Sequence, residues 1–112
     1  MAIPEHDLEL IRRFCDEQVP PEFHDRVRVE CVVRGRTVTI IERRPEWAAE
    51  PGHAWQDIPQ ARLKYDDQSA GWTLYWFDSN SRAHRYELLE PNQAIERLLA
   101  EYDADPTGIF KG

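Results

Sequence analysis

The side chains best suited to binding a metal are four histidines and two cysteines, spread over 112 residues. They show none of the close C-x-x-C or H-x-x-x-H pairing that is typical of zinc sites. We expect His84 to lie opposite Trp76 on the core side of a strand, where a packed histidine is the usual finding. The sequence therefore predicts no metal and no cofactor at His6, His24, His53, His84, Cys15 or Cys31.

The possible nucleophiles lack surroundings that would activate them. Cys15 falls on the apolar stripe of a predicted helix and Cys31 on the core side of a predicted strand, whereas reactive cysteines are partly exposed and close to positive charge. The serines lie in turns outside any G-x-S-x-G motif. The neighbouring carboxylates of Asp66 and Asp67 lie in a solvated turn, which does not prepare them for acid–base catalysis. No catalytic site is predicted, so an enzyme is only the third hypothesis.

Arginines that alternate with aromatic residues suggest a different chemistry. Guanidinium groups form paired hydrogen bonds with phosphate, and aromatic rings can stack on bases. Three interpretations of this face stay open: the plain polar side of a half-buried sheet, a protein interface such as a homodimer, or a site for an anionic ligand such as a nucleotide or single-stranded nucleic acid. The candidate ligand or partner face consists of Arg28, Arg43, Arg62, Lys64, Tyr75, Phe77 and Arg85.

Charge is unevenly distributed along the chain. The net charge of −7 consists of −5 over residues 1–25, +2 over residues 26–86 and −4 over residues 87–112, so both ends are acidic. Such asymmetry is found on faces with a charged partner, but on charge alone we favour a well-solvated surface. The negative total argues against strong nonspecific binding of nucleic acid, which depends on basic surfaces.

A predicted loop from Pro45 to Asp57 is long for a compact domain and contains Trp47, His53 and Trp55. Long loops often bind ligands or act as lids. Two tryptophans in a loop can also close over the end of a core, and we favour that role for Trp47 and Trp55 as loop anchors.

These residues must be positioned by a helix, five strands and a second helix, since the apolar period changes from 3.6 to 2 and back. We expect one domain over residues 1–112, with an α+β fold in which a five-stranded antiparallel meander carries both helices on one face. Ile109 and Phe110 should fold back as an anchored tail. The predicted elements are a helix over 4–18, strands over 26–34, 37–44, 58–65, 72–78 and 82–88, and a helix over 91–103.

Side-chain alternation also predicts the register. A two-residue turn at Gly35-Arg36 pairs Val33 with Val38, Cys31 with Ile40 and Val29 with Glu42, so that apolar partners share a face. For the last hairpin, a three-residue loop over 79–81 separates core from surface side chains, and it requires a left-handed residue near Asn80 or Ser81. The resulting pairs are Trp76 with His84, Leu74 with Tyr86, and Trp72 with Leu88.

The N-terminal segment is acidic and amphipathic, and no apolar run approaches the length of a membrane span. We therefore expect a cytoplasmic protein without membrane contact, whose cysteines stay reduced.

Four motifs carry a resemblance to a known family: ERRP (42–45), RLKYD (62–66), WTLYWFDSNSRAHRY (72–86) and DADPTGIFKG (103–112). Together they resemble a family of small bacterial proteins known as domain of unknown function 3024. Members commonly have Gly after the Asn of the last hairpin, where this chain has Ser81. The resemblance covers nearly the whole chain and implies no activity.

Two binding hypotheses therefore lead. The first is a small interaction module, homodimeric or bound to another protein, that uses the open sheet face or the Trp-containing loop. The alternative is a binding module for an anionic ligand on the same Arg/aromatic face.

Overall fold

The computed structural model describes residues 3–45 and 55–111. Its strands form one antiparallel sheet in the order β1-β2-β3-β4-β5, with a helix before and a helix after them. The predicted α+β fold is confirmed. The elements are α1 (Glu5–Glu17), a short 3₁₀ helix (Pro21–Phe23), β1 (Arg28–Arg34), β2 (Thr37–Pro45), β3 (Trp55–Asp66), β4 (Gly71–Phe77), β5 (Ala83–Arg85) and α2 (Ile95–Ala104).

The first hairpin has the predicted register. Val33 pairs with Val38, and Cys31 pairs with Ile40. Gly35 has φ of +58°, in the left-handed region that the first residue of a tight hairpin turn requires. Every apolar pair of this hairpin therefore points towards the helices.

Both helices pack on one face of the sheet. Leu63 and Leu74 face this side and are at most 1% exposed, together with Ile11 of α1 and Leu98 of α2. Burial of such side chains contributes about 1.5–3 kcal/mol each, which makes this layer the main source of stability.

The C-terminal tail folds back as predicted. The ring of Phe110 packs against Tyr86 and Tyr102, with centroids 4.9 and 5.5 Å apart. Asp105 ends α2 in a left-handed conformation, and its carboxylate accepts hydrogen bonds from the backbone N–H groups of Phe110 and Lys111 at 3.1 and 3.0 Å. Asp105, the second Asp of the DADPTGIFKG motif, thus holds the tail against the core.

The β4–β5 hairpin has the predicted three-residue loop. Trp76 pairs with His84, and the backbone N–H of Tyr86 donates to the carbonyl of Leu74 at 2.8 Å. Ser81 supplies the left-handed residue, with φ of +60°.

The predicted pair of Trp72 with Leu88 is wrong. β5 ends at Arg85, and Leu88 is 67% exposed. Trp72 pairs instead with Gln93, through backbone hydrogen bonds of 2.8 Å in both directions. Because the segment before α2 lies across the end of β4, the strand predicted over 82–88 is shorter and the helix predicted from 91 begins at Ile95.

The loop predicted from Pro45 to Asp57 is also shorter, because β3 begins at Trp55 and pairs with β2 as far as Pro45. The register between the two strands shifts at Ile40/Ile41, opposite Gln60. Gln60 is only 6% exposed, and its side-chain carbonyl accepts a hydrogen bond from the Tyr102 hydroxyl. A bulge of this kind reverses the faces of the residues that precede it in β3.

Candidate functional site

The open face of the sheet brings together most of the predicted basic and aromatic residues. Leu63 pairs with Leu74 on the core side, so their neighbours Arg62 and Tyr75 pair on the opposite side. Tyr75 is also the partner of Arg85 on β5. Arg62, Tyr75 and Arg85 therefore form a row across three strands, which we call the Arg–Tyr–Arg row. Directly opposed residues of a sheet have Cβ atoms about 5 Å apart, so each guanidinium can lie beside the tyrosine ring.

Arg62 is the most constrained member of the row. Its guanidinium carbon lies 5.2 Å from the centroid of the Phe77 ring, a cation–π contact that holds the side chain on the sheet. Its Nε is buried and has no hydrogen-bond partner among the residues that the structure describes. A buried donor without a partner is unfavourable by about 1–3 kcal/mol, so an acceptor that reaches this nitrogen would bind with advantage.

Lys64 and Arg85 are exposed and form no ion pair within the described part of the chain. Lys64 lies two positions after Arg62 on β3 and pairs with Thr73. Because residues two apart on a strand share a face, its ammonium group adds to the positive charge beside Tyr75.

Arg28 and Arg43 belong to the same face but are already engaged. Arg43 bonds to Asp57 at 2.8 Å and to Glu30 at 3.3 Å, and these carboxylates raise its pKa. The Nε of Arg28 donates to the carbonyl of His24 at 2.8 Å. Asp57 reaches this face because the bulge at Gln60 reverses its direction. Among the predicted basic residues of this face, the available positive charge therefore lies on β3 and β5 rather than on β1 and β2.

A cavity of ≈ 340 Å³ opens at the β3–β4 end of this face. Tyr75 of the Arg–Tyr–Arg row and the neighbouring Lys64 both line this cavity. The Arg36 guanidinium bonds to Asp67 at 2.8 Å, and the Asn92 side-chain carbonyl accepts from the Ser69 hydroxyl at 2.9 Å. The lining residues are Arg36, Lys64, Tyr65, Asp66, Thr73, Tyr75 and Asn92.

The family model described as Domain of unknown function (DUF3024) matches residues 2–112. The chain belongs to the DUF3024 family. No curated protein and no solved structure matches it. Ser81 occupies the position at which family members commonly have Gly. It is the left-handed residue of the β4–β5 hairpin.

Some residues of this DUF3024 face escaped the sequence argument. Thr73 shares the face of Tyr75 by alternation and could have been found in that way. Asn92 comes from the segment before α2, and Arg36 from the first hairpin turn, so only the three-dimensional arrangement brings them to the cavity. The two predicted loop anchors have separate outcomes: Trp55 begins β3, and Trp47 lies outside the described residues.

His84 of this DUF3024 chain lies opposite Trp76 as expected, but its side chain is 46% exposed rather than packed in the core. The His84 ring stacks on Trp76 with centroids 4.7 Å apart, and its Nε2 lies 2.7 Å from the carboxylate of Asp78. This contact lowers the pKa of Asp78. Within residues 3–45 and 55–111 no three His, Cys, Asp or Glu residues are grouped so as to hold a metal. In the same ranges, neither helix has the length and apolarity needed to cross a bilayer.

Proposed function

We propose that this protein is a small binding module that holds an anionic ligand of nucleotide size on the open face of its sheet. The Arg–Tyr–Arg row is the observation that carries the proposal. A flat ring can stack on Tyr75, while the guanidinium groups of Arg62 and Arg85 form paired hydrogen bonds with phosphate oxygens on either side.

The cavity supports a ligand of limited size. Sites for small molecules have volumes of about 300–1,000 Å³, and the cavity of ≈ 340 Å³ lies at the low end of that range. Tyr75 lines it, so a base stacked on this ring can direct its phosphate towards Lys64 or Arg62. A mononucleotide fits these dimensions better than a long strand, for which the net charge of −7 is unfavourable.

Calorimetric titration with ATP, AMP and a short single-stranded oligonucleotide at low salt tests the proposal. The Arg62→Ser/Arg85→Ser double variant should bind the preferred probe at least about 100-fold more weakly, because charge-assisted hydrogen bonds contribute about 1.5–3 kcal/mol each and the variant removes at least two of them. Arg97→Gln is the matched control, since Arg97 is an exposed arginine of α2 on the opposite side.

Circular dichroism must show an unchanged fold for each variant. No binding of the three probes to the parent protein, or equal affinity of the double variant and Arg97→Gln, would refute the proposal.

A protein contact through the same face is the second candidate. Val32 on β1 is 38% exposed and belongs to this face, diagonally across from Ile41 on β2. Val32 pairs with Thr39, which pairs with Arg62, so this apolar area continues the Arg–Tyr–Arg row towards β1 and suits a protein partner or a second copy of the chain. Light scattering of the parent protein and of Val32→Lys tests the homodimer, which predicts a dimeric parent and a monomeric variant. A monomeric parent contradicts it.

A further inference from the structure

The two cysteines come together where α1 packs against β1. Cys15 lies in the last turns of α1 and is 3% exposed, whereas Cys31 lies in the middle of β1 and is partly exposed. Their thiol groups are close enough to influence each other electrostatically. Both line one cavity of ≈ 270 Å³, which gives small molecules a path to the sulfur atoms.

Arg12 makes the pair unequal. It lies one helical turn before Cys15 and lines the same cavity, so its positive charge lies near the Cys31 sulfur. The neighbouring Cys15 thiol and the charge of Arg12 lower the pKa of Cys31 to about 6. This favours the thiolate, which is the nucleophilic form of cysteine.

Cys15 has the opposite tendency. The neighbouring Cys31 thiolate, burial and the charge of Asp16 all raise the pKa of Cys15. It therefore keeps its proton. The two thiols thus differ, since their surroundings favour the charged form of Cys31 and the neutral form of Cys15.

We propose that Cys31 is a peroxide-reactive cysteine and that Cys15 is its resolving partner. The substrate class is a small hydroperoxide, ROOH, which the cavity beside Arg12 can admit. This assignment is independent of the anionic ligand proposed for the open face, because the cavity lies on the side of the sheet that carries α1.

The reaction proceeds in two steps. The Cys31 thiolate attacks one peroxide oxygen, so that an S–O bond forms, the O–O bond breaks, and RO⁻ leaves and takes up a proton from water. Cys31 becomes a sulfenic acid. The Cys15 sulfur then attacks the Cys31 sulfur; an S–S bond forms, the S–O bond breaks, and hydroxide leaves with the Cys15 proton as water. The two thiols together supply the two electrons that reduce the peroxide.

The first step prepares the second. Once Cys31 is a sulfenic acid, it no longer carries the negative charge that keeps the Cys15 proton in place. Cys15 then ionises more readily, at the moment when a nucleophile is needed. A thiol of the cytosolic glutathione or thioredoxin class would return the disulfide to two thiols.

Stoichiometric hydrogen peroxide, followed by thiol counting and peptide mass spectrometry under non-reducing conditions, tests the proposal. The parent protein should lose both thiols and yield a peptide pair joined through Cys15 and Cys31. In Cys15→Ser the reaction should stop at a sulfenic acid on Cys31, which dimedone labels. In Cys31→Ser, Cys15 should react with peroxide at least about tenfold more slowly than Cys31 does in the parent.

Arg12→Gln should slow the first step about tenfold at neutral pH, while the exposed neighbour Arg13→Gln serves as the matched control and should leave it unchanged. If a cysteine variant fails to fold, dimedone added to the parent during oxidation still traps the intermediate on Cys31. Retention of both thiols in the parent, equal peroxide reactivity of the two cysteines, or dimedone labelling of Cys15 instead of Cys31 would overturn the assignment.

Discussion

The indole N–H of Trp72 donates a hydrogen bond of 2.8 Å to the carboxylate of Asp7, 65 positions earlier in the chain. Trp72 is fully buried in β4, and Asp7 lies in the first turn of α1. This contact joins the N-terminal helix to the centre of the sheet and satisfies a donor that has no access to water.

Replacement of Asp7 by Ala should lower the free energy of unfolding by about 1–3 kcal/mol, because the buried indole N–H would lose its acceptor. Urea unfolding followed by circular dichroism measures the change. The matched control is Glu9→Ala, an exposed acidic residue of the same helix. In a Trp72→Phe background, which lacks the donor, Asp7→Ala should cause a smaller loss. Equal losses from Asp7→Ala in both backgrounds would contradict the role of this bond.

Replacement of Ser81 by Gly should raise the free energy of unfolding by about 0.5–1 kcal/mol. Ser81 has φ of +60°, where a side chain is unfavourable by about 1–2 kcal/mol, and the greater entropy of an unfolded glycine removes part of this gain. Ser79→Gly, in the same loop but without a positive φ, should instead destabilise the protein. Thermal unfolding of the two variants distinguishes them, and a lower melting temperature for Ser81→Gly would show that the hairpin is not strained there.

Gly71 and Gly35 should respond differently to substitution by Ala. A Cβ at Gly71 would lie 2.6 Å from the backbone of Asn92, which cannot move without breaking the Trp72–Gln93 pair, so we expect a loss of about 3 kcal/mol. At Gly35 no atom lies within 4 Å, and only the positive φ opposes a side chain, so the expected loss is about 1 kcal/mol. Equilibrium unfolding measures both values. A loss at Gly71 no larger than that at Gly35 would contradict the close approach.

Alkylation of Cys31 by iodoacetamide should depend on pH in the range set by its lowered pKa. The rate should be low below that value, where Cys31 is protonated, rise through pH about 6, and level off near neutrality. An ordinary cysteine reaches half its maximal rate near pH about 8.5. The titratable groups that line the same cavity are Arg12, Cys15 and Asp16 of α1 and Glu30 of β1. Arg12→Gln should move the midpoint upwards, and a midpoint near 8.5 in the parent would contradict the thiolate assignment.

Side-chain alternation explains why much of the sheet was predictable. A shift of one residue would move every apolar side chain of a strand to the wrong face, so the pairs Val33–Val38 and Cys31–Ile40 admit few alternatives. The same alternation predicts that Arg62, Tyr75 and Arg85 share the open face, and their pairing agrees.

Alternation fails where the chain leaves regular pairing. Leu88 has the right parity to oppose Trp72, but Gln93 takes that place because the segment before α2 crosses the end of β4. The bulge at Gln60 depends on a hydrogen bond to Tyr102, far along the chain. Neither relationship has a local sequence signal.

The cysteine pair marks a different limit. The sequence placed Cys15 on the inner side of a helix and Cys31 on the inner side of a strand, and the structure agrees. The position of a helix along a sheet depends on the packing of whole side chains. The spacing of apolar residues in the sequence does not reveal that position. Two residues dismissed separately as inert thus become neighbours beside Arg12.

Within residues 3–45 and 55–111, the extended pairing of β2 with β3 leaves part of β3 without a strand partner on its other side, because β4 pairs only from Ala61 onwards. An uncovered strand of this kind invites a strand from another molecule and can start aggregation. Pro59 lies within this stretch and has no N–H to offer to an incoming strand. A substitution such as Pro59→Val would restore this backbone N–H donor. The edge of the sheet could then pair with strands of other molecules and promote aggregation.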